Sequence, residues 1–516
     1  MNPKHGNLRH AFCAAVIAAL AACGSNGSVV AAPPLPNPPE VRASHGLVSL
    51  SLYVVRDRLS FVPEFMYQGG IGAPTIRVHP GDTIRIVLHN RLPRTDYMPN
   101  DVNLHFHGMR VSPEPPGDDS MKVAKPGETL IYVVHVPRDH PPGLYWYHPH
   151  SHGEAYWQIT SGMSGAIVVE GLQERLPFLK GMPERVIVLR NAQSIPDIWT
   201  LPIVARLAAT KKFFRERGWP SSFMYPTGNG DGDAASGPCQ SYPDYYATVN
   251  GLRRVSIGIA PGERQFFRIV NASAGRYFDL AVDGERLRLV ALDGVPLGDY
   301  PGAVASTLVD HVLIAPAGRA EFVVTGQAQA TILRSRCYFS GSGGDPDPPT
   351  VLADIIPSGP STRSVTRPKT SASFPSAALP ERSPVLANSR RIVLTEDSRG
   401  FYIDGKAFDM RGPPAIVVHA GTLEEWTLVN RTDEVHDFHL HQVLFAVESV
   451  DGRASVRHWV DSVTVPPQYG TRRGSRPGTA VILVDFRDPV VRGTFLFHCH
   501  ILDHEDGGMM EEIRVI

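Results

Sequence analysis

Four short stretches of this chain crowd imidazoles together. They are HFHG (His105, His107), YHPH (His148, His150), HDFHLH (His436, His439, His441) and HCHILDH (His498, Cys499, His500, His504). Neutral imidazole is the commonest side-chain ligand for a transition metal. Each His-x-His pair begins or ends an alternating apolar run, and on a strand residues two apart point to one face. A pair therefore offers two imidazoles to the same side. One pair is weak evidence, because strand histidines are usually structural. Four clusters, two near each end of the chain and none between Gly153 and Val418, where His311 is the only histidine, indicate metal binding.

Cys499 sorts the ligands. In an extended HCH segment it faces away from His498 and His500, so one strand serves two sites. On one side stand Cys499, His504 and Met509, with His436 available from the same part of the chain. A thiolate, two imidazoles and a weak thioether are the set that holds an electron-transfer copper. On the other side His498 and His500 join His105, His107, His148, His150, His439 and His441. Eight imidazoles are too many for one ion and suit a cluster of about three. Zinc is the rival metal, but a lone cysteine with a methionine at this spacing is not a structural zinc set.

The elements that must position these residues repeat along the chain. VHPGDTIRIVLHN (Val78–Asn90), IAPGERQFFRIVN (Ile259–Asn271) and VHAGTLEEWTLVN (Val418–Asn430) share a turn, an alternating strand and a terminal Asn. AKPGETLIYVVHVP (Ala124–Pro137), IAPAGRAEFVVTG (Ile314–Gly326) and SRPGTAVILVDF (Ser475–Phe486) form a second threefold set. Alternation after a Pro/Gly turn is the strand signal, and two units in three copies predict three homologous β-sandwich domains. Their bounds are expected at residues 46–171, 172–357 and 385–516, with a Pro/Ser/Thr-rich linker at 358–384. Within the second, Ala205–Gly218 has helical periodicity and Pro226–Cys239 reads as a surface loop, together an insertion. The sharpest repeat sets DHPPGLYWYHPH against DPVVRGTFLFHCH, where Pro149 in one copy is Cys499 in the other.

The bulk numbers are those of an ordinary globular protein: 516 residues, 42% hydrophobic, 20% charged, formal net charge −1. That balance gives no support for a nucleic-acid partner. The apolar run Ala11–Ala22 is too short for a permanent membrane span and reads as an export signal over residues 1–22. LAAC (Leu20–Cys23) resembles a bacterial lipobox, which implies a lipid anchor on Cys23 at the outer membrane as the one membrane contact. Otherwise the chain is expected to be periplasmic or secreted. Residues 23–45 then read as a flexible tether. With Cys23 and Cys499 so used, Cys239 and Cys337 remain as a candidate disulfide in an oxidising compartment.

Together these motifs closely resemble those of a three-domain multicopper oxidase of the bacterial laccase-like group. The resemblance covers essentially everything after the tether. It implies an all-β fold of three cupredoxin-like Greek-key β-sandwich domains, and four copper ions. His436, Cys499 and His504 match the type 1 ligands with Met509 axial, and His105 and His439 match the type 2 ligands. His107, His148, His150, His441, His498 and His500 match the type 3 pair. The implied reaction couples four one-electron oxidations of a small donor to the reduction of O2 to water. The donor is a phenol, an aromatic amine or a metal ion such as Cu(I), Fe(II) or Mn(II). Electrons would pass from Cys499 through its flanking histidines, a path of roughly 10 Å at about 3.3 Å per residue plus side-chain reach.

Three acids resemble working positions of that family: Glu505 and Asp119 as proton relays, and Asp461 near the type 1 site facing the reductant. Two residues depart from its pattern. Asp437 stands where Pro is common, and is expected to alter how the type 1 site meets solvent. Gln442 stands where Gly is common. His152 is expected to be an unliganded neighbour. A non-enzymatic copper-binding relative would usually lack ligands, and none is missing here. A copper nitrite reductase would normally show two such domains and no second and third His-x-His sets.

Overall fold

The computed structural model describes residues 32–56, 63–95, 99–193, 245–345, 347–360, 386–470 and 474–516. The export segment, Cys23, the helical stretch at 205–218, the loop to Cys239 and most of the linker lie outside the described residues. Cys337 is disulfide-bonded. Among the described residues no helix is long and apolar enough to cross a membrane.

Among the described residues strands dominate and form six sheets in three pairs. One pair draws on residues 40–169, the next on 184–357 and the last on 388–515. In each pair the repeated strand sits near the centre of one sheet: Thr83–Asn90, Arg264–Asn271 and Leu423–Asn430. Each pairs antiparallel with the strand of the second repeated unit, Thr129–His135, Arg319–Thr325 and Gly478–Asp485 respectively. Burial alternates strictly along Thr83–Asn90 and Gly478–Asp485, as strands with one face on a core must.

The terminal Asn of the repeat has a definite task. Asn90, Asn271 and Asn430 are all buried. Each Nδ2 donates to one carbonyl of the loop that follows and to one of a more distant segment: Asn100 and Ala124, then Arg276 and Ile314, then Glu434 and Val465. Each Oδ1 accepts from the amide two residues on, at Leu92, Ser273 and Thr432. A buried loop leaves backbone groups unmet unless a side chain supplies partners. One Asn per sandwich does so, and in the third copy the loop it fixes leads directly to His436.

Part of the expected tether is folded. Glu40–Arg42 is an edge strand parallel to Thr75–Arg77, and Leu35 packs into the core of the second sheet pair. Arg77 explains the docking: its Nε holds Glu40 Oε1 and its Nη1 holds Glu170 Oε1, both at 3.0 Å. Such ionic latches between distant segments leave no periodic trace in the sequence.

The three pairs meet along a shared apolar seam. Leu144, Trp146 and Val168 of the first pack with Val186, Val270 and Ala317 of the second and Leu502 of the third. The seam fixes the two histidine-bearing sandwiches against each other, with the second sandwich as the wedge.

Candidate metal centre

Backbone register brings the imidazoles together. Antiparallel pairing sets His105 opposite His148 and His107 opposite Trp146 in the first sandwich. In the third it sets His439 opposite His498 and Phe438 opposite Cys499. The two ligand-bearing strand pairs face each other across the seam, and all eight imidazoles are buried there. His105 stacks on His441 with centroids 3.7 Å apart, and His107 stacks on His439 at 3.9 Å. The Nε2 atoms of His150 and His441 lie 3.2 and 3.1 Å from His498 Nε2. His107, His148 and His500 form a second group with centroids 5.0 to 5.6 Å apart. His105 and His439 stand between the groups, with His105 also close to His441 in ligand atoms.

Hydrogen bonds behind the rings choose which nitrogen faces inward. His148 Nδ1 lies 2.8 Å from the Pro149 carbonyl, His439 Nδ1 2.8 Å from the Asp461 carbonyl and His498 Nδ1 3.0 Å from the Cys499 carbonyl. Donation by each Nδ1–H leaves Nε2 as the lone-pair atom, the usual backing of a metal-bound imidazole. The sequence reading missed the acid that does the same for His105. That acid is Asp118, the neighbour of the expected proton relay Asp119: its Oδ2 accepts from His105 Nδ1 at 2.9 Å and its Oδ1 from the Phe106 amide at 3.0 Å. Asp119 turns the other way and caps its own loop, accepting from the Met121 and Lys122 amides.

Asp461 also differs from expectation. It is 1% exposed and cannot meet a reductant in solution. Its carboxylate is paired with both Nη atoms of Arg319, and Oδ1 lies 3.4 Å from His107 Nε2. Arg319 comes from the second sandwich, which contributes no ligand, and that contact decides where Asp461 points. Gly108 makes room for the pair: at its φ of +78°, a Cβ would overlap Arg319 Nη2 and Asp461 Oδ2. Glu505 is where the sequence put it, buried between His150 and His498. Its Oε2 is 3.0 Å from His498 Nδ1, without the alignment of a hydrogen bond, and its Oε1 is 3.6 Å from His150 Nδ1. Burial pushes its carboxyl up, but the surrounding imidazoles outweigh that and hold it at about 2.

The second centre lies on the far side of the Cys499 strand. Cys499 Sγ is 3.6 Å from both His436 Nδ1 and His504 Nδ1, which are 3.0 Å from each other. The short helix Leu502–Asp506 follows the strand and sets consecutive residues to work on opposite sides, His504 toward Cys499 and Glu505 toward the cluster. The buried Met509 closes the loop, its amide donating to the His504 carbonyl and its carbonyl accepting from the Cys499 amide. His436 Nε2 meets the Thr432 hydroxyl at 2.8 Å, and Phe401 stacks on His504 at 4.2 Å. Glu434 Oε1 lies 3.3 Å from His504 Nε2. Burial, with Glu396 beside it, raises the Glu434 carboxyl well above the ordinary range. Asp437 does not reach solvent: it is fully buried, accepting from Thr464 Oγ1, while its carbonyl takes the His500 amide at 2.6 Å. His152 lies edge-on to Phe408 and joins neither centre.

These residues fit metal ions on their own chemistry. His105 Nε2, His439 Nε2, His441 Nδ1 and both nitrogens of His500 are buried with no hydrogen-bond partner. An unmet buried polar atom costs about 1–3 kcal/mol, so a cluster of them needs an occupant. Burial holds His148 and His436 at about 3 and His150 at about 4, keeping lone pairs free at neutral pH. Burial also pushes the Cys499 thiol well up, so it is no free nucleophile. A bound cation is what would deprotonate it. One thiolate with two imidazoles suits copper at this centre, and imidazole alone suits copper at the other.

Known proteins carry the same organisation. Family models described as multicopper oxidase match residues 60–174, 221–351 and 379–516. The multicopper oxidase mco of Staphylococcus aureus is 25% identical over 460 residues, covering 87% of this chain and 83% of its own. The laccase of Bacillus subtilis (strain 168) is 24% identical over 501 residues, covering 87% and 89%. Among solved structures, a multicopper oxidase from Campylobacter jejuni, described as a metallo-oxidase, superposes with a TM-score of 0.66 over 94% of both chains at 21% identity. The cupredoxin-like fold is thereby shared across most of the chain.

Proposed function

The chain belongs to the multicopper oxidase family, and on that premise we propose that it takes electrons singly from a small donor at the Cys499 centre and reduces dioxygen to water at the eight-histidine centre. One observation carries the reading: Cys499 closes one centre while His498 and His500, its immediate neighbours, belong to the other. Copper bound at both, four ions in this reading, would supply reversible one-electron storage and the capacity to hold and reduce dioxygen. The chain's own residues do the rest. The His500 amide, hydrogen-bonded to the Asp437 carbonyl, and the His498–His439 strand pairing lock the covalent link between centres in one conformation. Glu505, with neither carboxylate oxygen hydrogen-bonded, is placed to pass protons to the cluster side. Asp118 holds the proton on His105 Nδ1.

Electrons enter by the face of His504. Phe401 and Glu434 cover that ring, and Glu396 and Asp503 stand around Glu434. Burial and crowding raise these carboxyls, and a cationic donor, a metal ion or an aromatic ammonium group, would relieve that crowding by displacing their protons, which a neutral phenol would not do. Export with a lipid anchor at Cys23 fits such a substrate range, since it would set the oxidase outside the cytoplasm. Steady-state oxygen uptake over phenols, aromatic amines, Cu(I), Fe(II) and Mn(II) tests the proposal. A copper-loaded protein that consumes no oxygen with any of them would reduce it to a copper-binding scaffold.

A further inference from the structure

Gln442 follows the last histidine of HDFHLH with a backbone φ of +57°. That left-handed conformation suits Gly and strains a long side chain. The residue is nonetheless Gln, and it is buried. Its Nε2 crosses from the third sandwich to the first and donates to Asp118 Oδ2 at 2.5 Å. The same oxygen accepts from His105 Nδ1, and the Phe106 amide holds the other. The carboxylate thus has three donors, two of which fix its position while the third is the imidazole it orients. On the opposite flank the preceding residue, His441, stacks flat on the His105 ring. Residues 441 and 442 therefore grip His105 from its face and from behind. Strain retained in a backbone whose side chain makes this one polar contact points to a use for the contact.

We propose that Gln442 is a positioning residue for the histidine cluster: its amide clamps Asp118 onto His105 and so sets the geometry and retention of the metal ion shared by His105 and His439. This rests on the reading that those two histidines hold copper.

Gln442→Gly and Gln442→Asn separate positioning from folding. Glycine removes the backbone strain, and asparagine tolerates the left-handed conformation but is one methylene too short to reach Asp118. In the copper-free protein the Gly variant should unfold at the wild-type temperature or above. In the copper-loaded protein both variants should surrender one copper to a chelator at a roughly 10- to 100-fold lower chelator concentration. The type 2 electron paramagnetic resonance parameters should change while the Cys499 absorption band stays as in wild type. Unchanged type 2 parameters and chelator threshold in both variants would overturn the proposal. So would a Gly variant that fails to fold or unfolds earlier, because Gln442 would then serve stability alone. A wild-type protein that binds copper at Cys499 but shows no type 2 signal would sink the underlying reading instead.

Discussion

Arg319 is the residue through which a sandwich without ligands reaches the metal cluster, and its removal has a calculable result. The guanidinium is fully buried and every donor is met. Nε reaches the Leu144 carbonyl at 3.3 Å, Nη1 the Ala317 carbonyl at 3.1 Å and Asp461 Oδ1 at 2.9 Å, and Nη2 the Asp293 carbonyl at 2.8 Å and Asp461 Oδ2. Methionine has similar length and no charge. In Arg319→Met the Asp461 carboxylate stays buried without its cation, a loss of about 3–5 kcal/mol. Asp461→Asn strands the guanidinium instead and should cost a similar amount, eased by Asp293 Oδ1 at 3.6 Å. The double variant buries neither charge, so its loss should fall short of the sum by about 2–3 kcal/mol. Denaturant unfolding of the four copper-free proteins measures the cycle. Losses that add to within about 0.5 kcal/mol would show the two charges to be independent and refute the reasoning.

Other expectations follow from single features. Gly108→Ala forces a Cβ between Arg319 and Asp461 at a φ of +78°; left-handed strain and overpacking together should destabilise by about 2–5 kcal/mol, and a thermal midpoint equal to wild type would contradict this. Burial raises the Glu154 carboxyl from 4.5 to about 7, against the Asn100 amide that donates to it. The folded state then keeps a proton that the unfolded chain releases, so this group's contribution to stability falls as pH rises from about 4.5 to about 7. Glu154→Gln should therefore gain on wild type by up to about 1.4 kcal/mol per pH unit across that window, and a pH-independent difference between the two would sink the assignment.

What the sequence revealed and what it hid have a common physical cause. Period-two spacing on strands is local, so His105 with His107, His498 with His500, and the opposite facing of Cys499 could all be read before any fold was known. The threefold strand grammar likewise exposed the sandwich architecture, because each copy must bury an alternating face. Contacts between sandwiches are not local. Asp118 and Asp119 are indistinguishable in a string, and only the loop turn decides which meets His105. Asp461 looked like an entrance acid because nothing in its neighbourhood announces Arg319, 142 residues earlier. Gln442 was visible as a departure from the family pattern, but its partner lies 324 residues away. Thr432, Glu434 and Phe401, which surround His436 and His504, carry no motif at all.

Counting reducing equivalents per dioxygen, with Cys499→Ser beside the wild type, tests the two-centre reading most directly. The copper-loaded wild type should consume four equivalents of a one-electron donor per O2, release no peroxide and show a thiolate-to-copper absorption band. Cys499→Ser should keep the cluster copper, lose the band and lose donor-driven uptake. Two equivalents per O2 with accumulating peroxide, or undiminished turnover in the serine variant, would contradict it.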